Sequence, residues 1–208
     1  MKKVFILIII ILLIVILPLI NSNILIKKSN QSAIILTKNM VGLLKINNTN
    51  FVSKIMQYSD NTYFLNHDET LTKSIFGSIF LDYRNNLNDQ KIIIYGHNSK
   101  TLNNAPFHFL ENFLDYDFSN SHRYLTIETP EFTNKYKLFS VIITNGNFEH
   151  MNLKWDSNSY QEHLKYLQTS SLYNFKIDLD SNSDILILQT CNYKPESSYL
   201  LLTYKKET

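Results

Sequence analysis

Two side chains able to do covalent chemistry stand at the ends of two apolar runs. Ser183-Asp184-Ile185-Leu186-Ile187-Leu188-Gln189-Thr190-Cys191 finishes on the only cysteine in 208 residues, and Lys91-Ile92-Ile93-Ile94-Tyr95 leads into Gly96-His97-Asn98. A thiol attacks as thiolate, and a free cysteine with a pKa near about 8.5 is mostly protonated at neutral pH. An imidazole beside it lowers that value, or acts as general base and then as acid. Such a pair suits acyl groups, through a thioester that water or an amine resolves, provided that donors meet the developing oxyanion. A lone cysteine at a strand end also serves as a small core residue. The chemistry therefore depends on whether the two runs lie side by side.

Both runs read as buried strands, short, branched and apolar behind polar turn clusters. Further strands are expected at Thr62–Asp68, Ser74–Leu81, Tyr124–Glu128, Tyr136–Thr144, Phe175–Leu179 and Tyr199–Tyr204, with an extended stretch from Val41 to Asp60. Gly77 marks a bulge or a close backbone approach. Phe107, Leu110, Phe113 and Leu114 fall at helical spacing within Pro106–Phe118, and Tyr160, Leu164 and Leu167 supply one face of a helix opened by a capping box at Ser159 and Glu162. Many short strands with few helices imply a mainly antiparallel barrel or sandwich, with helices outside it.

Composition narrows the rest. A net charge of +2, with no basic block interleaved with aromatics, excludes a nucleic-acid surface. Hydrophobic residues at 44% and aromatics at 13% favour a packed globule over disorder. One cysteine cannot close an intrachain disulfide. The acids beside His67, His150 and His163 lack the paired spacing of a zinc helix, His108 and His122 read as surface or packing residues, and four glycines leave no room for a phosphate-binding loop. No metal and no cofactor is expected. Lys2 and Lys3 precede an uncharged run from Val4 to Ile20, at the short end of the roughly 17–25 residues that span a bilayer. The run has no small-residue cleavage site after it, so it reads as an uncleaved anchor with the N-terminus cytoplasmic. The expected division is 1–22 tip and transmembrane anchor, 23–40 membrane-proximal helix or stalk, and 41–208 one domain, held outside the cytoplasm by a single-pass span through residues 4–20.

From about Val41 onward the sequence resembles the class B sortases, membrane-anchored cysteine transpeptidases of Gram-positive bacteria. The likeness is densest in Asp60-Asn61-Thr62-Tyr63-Phe64-Leu65-Asn66-His67-Asp68, in Gly77-Ser78-Ile79-Phe80-Leu81-Asp82-Tyr83-Arg84-Asn85-Asn86, in Ile93-Ile94-Tyr95-Gly96-His97-Asn98 and in Leu188-Gln189-Thr190-Cys191. The resemblance implies a closed eight-stranded barrel with an extra helix between the sixth and seventh strands. It implies Cys191 as the nucleophile that attacks the threonine carbonyl of a sorting signal near the C-terminus of a secreted protein, and His97 as acid and base. The accepting amine would come from a peptidoglycan stem peptide or from a lysine of a pilus subunit. Thr190 and Asn98 would shape the substrate groove.

One position departs from the family. An arginine is expected at the start of the last strand, where it would hold the substrate backbone and steady the oxyanion, and this chain has Tyr199 there. Only Arg84 and Arg123 occur, and Arg84 matches a different family arginine, in the loop before the histidine strand. Tyrosine offers one O–H donor against five fixed N–H donors. The site is then weakened, rebuilt around Tyr199 or a lysine such as Lys194, or no longer catalytic. Three functions follow: a transpeptidase, a tethered peptide-binding pseudo-enzyme, or a cysteine peptidase that releases its product to water.

Overall fold

Strands differ here according to what covers each face. β1 (Met40–Ile46) alternates buried and half-buried residues, as a strand with one covered side must, whereas every residue of β4 (Lys91–Tyr95) is buried. The computed structural model describes residues 34, 36–101, 103–146 and 148–207; the run at 4–20 and most of the 23–40 stretch lie outside the described residues. From Leu36 onward the chain is one compact unit. Besides β1 and β4 it holds β2 (Val52–Met56), β3 (Phe80–Leu81), β5 (Tyr124–Glu128), β6 (Thr133–Thr144), β7 (Ile185–Asn192) and β8 (Ser198–Lys206). These close a barrel in the order β1-β2-β3-β4-β7-β8-β6-β5. Two junctions are parallel, β2 with β3 and β4 with β7, and the others are antiparallel. Closure gives every strand a neighbour on both sides. All eight strands feed one core, to which Leu44, Ile55, Leu81, Ile94, Ile127, Val141, Leu188 and Leu202 belong. Burying each such side chain contributes about 1.5–3 kcal/mol before the entropy cost.

Among the described residues two α-helices lie outside the barrel. α1 (Tyr116–Ser121) follows a 3₁₀ segment, His108–Leu114, so the stretch expected as one helix is broken at Asp115, whose carboxylate caps α1 by accepting the Phe118 N–H. α2 (Ser157–Thr169) lies between β6 and β7 and buries Tyr160, Leu164 and Leu167 as its spacing requires. Its cap is Asp156, not Ser159: the carboxylate accepts the N–H groups of Asn158 and Ser159 and the Ser159 hydroxyl.

Three expected strands are corrected. Thr62–Asp68 folds into a 3₁₀ turn at Tyr63–Leu65, because the Asp60 carboxylate accepts the N–H groups of Thr62 and Tyr63 and offers the backbone an alternative to a ladder. Of Ser74–Leu81 only Phe80–Leu81 is strand; Gly77 sits at φ +58° with a backbone approach too tight for a Cβ, 2.7 Å from the Leu65 carbonyl oxygen. Phe175–Leu179 is irregular, its carbonyls served by the side chains of Arg123, Gln168, Lys205 and Gln161 rather than by a neighbouring strand.

Candidate active site

In the parallel pair β4/β7, Lys91 lies opposite Ile185 and Tyr95 opposite Gln189. The pairing runs one step past β4, since the Gly96 N–H donates to the Gln189 carbonyl at 3.2 Å and the Thr190 hydroxyl donates to the Gly96 carbonyl at 2.7 Å. His97 therefore comes level with Cys191. Side chains alternate along a strand, and Ile92, Ile94, Leu186 and Leu188 fill the core, so Tyr95, His97, Gln189 and Cys191 share the outer face. On β8, Tyr199 pairs directly with Cys191 and projects to that same face.

Local packing fixes the imidazole. A methyl group on Gly96 would meet the ring of buried Phe107 at 2.6 Å, and the Phe107 N–H donates to the His97 carbonyl at 2.7 Å. The His97 ring bonds through Nε2 to the Leu65 carbonyl at 2.8 Å. A carbonyl only accepts, so Nε2 carries the hydrogen and Nδ1 keeps the lone pair of the neutral ring. The tight approach at Gly77 presents that carbonyl, with the Ser78 N–H held on Phe64 at 2.9 Å. Asn98 supports the thiol strand from behind: buried, it donates to the Cys191 carbonyl at 3.1 Å and to Glu111 at 2.6 Å, and the Tyr193 hydroxyl donates to its carbonyl at 2.8 Å.

The cleft holds about 310 Å³, and His97, Thr190, Cys191 and Tyr199 line it with Asn61, Leu65, Phe80, Tyr95, Gly96, Met151 and Gln189. Of the five residues singled out from sequence, four are brought together there, and Asn98 stands in the shell that holds them. Lys194 is exposed and stands apart from the lining, so among the described residues neither lysine nor arginine faces the cleft. Cys191 is half-buried, and that burial pushes its pKa up, so the resting sulfur is a thiol and needs a base to attack. Phe148 packs edge-on to the Tyr199 ring at 5.5 Å, and Met151 completes the wall.

Behind the cleft lies a polar knot that the residue pattern did not reveal. Asp82, with no exposed surface, accepts two bonds from the Arg84 guanidinium at 2.9 and 2.8 Å, one from the Tyr95 hydroxyl at 2.9 Å and one from Asn61 at 3.0 Å. Burial alone would raise its pKa, but these donors outweigh it and hold the carboxyl below the usual range. Arg84 is thus engaged structurally, while Tyr95 and Asn61 present their outer sides to the cleft. His150 donates through Nε2 to Gln189 at 2.8 Å, another support invisible in sequence because 39 residues separate them.

No protein-family model matches the chain. It is similar to Sortase B of Listeria monocytogenes, 32% identical over 160 residues, covering 76% of this chain and 64% of that protein. Similarity to Sortase B of Staphylococcus aureus is 28% over 164 residues, with 75% and 64% covered. The chain spans 64% of the length of these curated relatives. The crystal structure of Clostridium perfringens sortase B superposes with a TM-score of 0.76 at 30% identity, over 83% of this chain and 96% of that one.

Proposed function

Because this chain belongs to the class B sortase family, we propose that it is a cysteine transpeptidase acting on the sorting signal of secreted proteins at the outer face of the membrane. The observation that carries this reading is the β4/β7 register, which sets His97 and Cys191 level on one cleft. His97 Nδ1 takes the thiol proton as sulfur attacks the threonine carbonyl. The C–N bond then breaks, the imidazolium protonates the departing amine, and a thioester remains on Cys191. An incoming amine, from a peptidoglycan stem peptide or a pilin lysine, gives its proton to His97 and takes the acyl group. Residues 4–20 would hold the domain at the membrane.

Tyr199 favours a second reading. With no cation on the cleft wall among the described residues, the tetrahedral oxyanion lacks the fork that arginine would supply, and losing one such donor costs about 10²–10³ in rate. A pseudo-enzyme that binds sorting peptides without cleaving them fits the same cleft.

The test uses the full chain in detergent, candidate sorting peptides with and without a triglycine acceptor, and Cys191→Ala beside the wild type. A mass adduct on Cys191 that is absent from Cys191→Ala supports acyl transfer, and amine-dependent product separates transfer from hydrolysis. Peptide binding with no adduct at any concentration would leave the pseudo-enzyme.

A further inference from the structure

The outer face of β4 carries a second cleft at its other end, of about 770 Å³, lined by Lys91, Trp155, Tyr160, Arg84 and the backbone stretch Asn152–Lys154. At its floor the Lys91 ammonium, only 4% exposed, donates to the Asn152 carbonyl at 2.8 Å and to His163 Nε2 at 2.8 Å. Trp155 closes the cluster, stacked on the His163 ring at 4.5 Å, with the Lys91 nitrogen 5.2 Å from its own ring centroid. Segment 148–155 is a partition between the two clefts: Met151 stands in the Cys191 wall, and the very next residue is held by Lys91.

We propose that Lys91 is a positioning residue for peptide binding, fixing the Asn152 carbonyl and so the place of Met151 in the wall of the Cys191 cleft. The inference rests on the transpeptidase reading for what the peptide is. Two further clamps hold the same segment, Arg84 on the Met151 carbonyl at 3.1 Å and His150 on Gln189, so the loss of Lys91 loosens the wall without removing it. A buried ammonium is a poor choice for stability alone. Burial drives the Lys91 pKa down to about 7, which reflects the desolvation cost of keeping an ammonium there. The lysine is therefore explained by what it holds.

Lys91→Met, Met151→Ala and the double variant separate a positioning role from a structural one. Hydrogen exchange is read at 148–155, peptide affinity by anisotropy in a Cys191→Ala background, and access to the thiol by iodoacetamide alkylation in chains that keep Cys191. Lys91→Met is expected to speed exchange in 148–155 but not in β7, and to weaken peptide affinity about tenfold, the weight of one charge-assisted hydrogen bond. Alkylation stays unchanged. The double variant is expected to lose less than the sum of the single ones. Unchanged exchange in 148–155, or alkylation falling in step with affinity, would overturn the role. If no peptide ever acylates Cys191, the transfer reading falls, yet exchange and affinity still decide the part played by Lys91.

Discussion

The two ends of β4 handle proton-bearing groups in opposite ways. At the Lys91 end, burial is nearly complete and drives both partners toward neutrality: the lysine pKa falls to about 7, and that of His163 to about 3, through desolvation first and the adjacent Lys91 second. At the His97 end the thiol is half-buried and opens onto a cleft, its pKa pushed up by burial. The more perturbed pair is locked in hydrogen bonds and holds a wall, while the less enclosed pair faces substrate space. In this barrel a displaced pKa marks where the fold is tightest, and access marks where chemistry is possible.

The sharpest way to disturb that contrast is to give the cleft its missing charge. Tyr199→Arg should speed acylation of Cys191 by about 10²-fold, measured as single-turnover adduct formation. An unchanged rate would mean that Tyr199 or the backbone already serves the oxyanion. At the other end, Lys91 sets a pH signature. Between about pH 7 and its ordinary value of 10.5, the unfolded chain binds a proton that the folded chain has released. Wild-type stability should therefore rise with pH across that window and stay flat below it. Relative to Lys91→Met the gain should exceed roughly 1 kcal/mol, about 2–4 °C in melting temperature. Parallel curves for the two proteins would refute the assignment.

Gly96→Ala tests the boundary between strand and imidazole. Its methyl must displace the buried Phe107 ring, so a loss of about 1–3 kcal/mol is expected, with slower adduct formation as His97 shifts. The smallest effect belongs to Asp156→Ala, which uncaps α2 and should cost about 1 kcal/mol in denaturant titration while leaving thiol alkylation unchanged.

Strands covered on both faces were the most legible part. Ile92–Ile94 and Ile185–Leu188 announce themselves by unbroken branched residues, and their ends carry His97 and Cys191. The family resemblance put Tyr199 at the arginine position of the last strand, and the strand register pairs it with Cys191. Thr62–Asp68 is a turn and not the expected strand because its aromatics pack on one another instead of on a pleat: Tyr63 stacks between Tyr58 and His67 at 4.1 and 4.0 Å. The Lys91–His163 contact spans 72 residues of chain, and no local pattern encodes it. His163 is 2% exposed because α2 turns that position toward β4.

The parallel seam between β4 and β7 also sets when reactivity begins. His97 and Cys191 come from opposite sides of a crossover that includes α1, β5, β6 and α2, and β7 is wedged between β4 and β8. Before β7 is seated beside β4, the thiol and the imidazole sit on separate segments of chain. Only ring closure by the final strands assembles the pair, so the two groups meet in the closed barrel and not before.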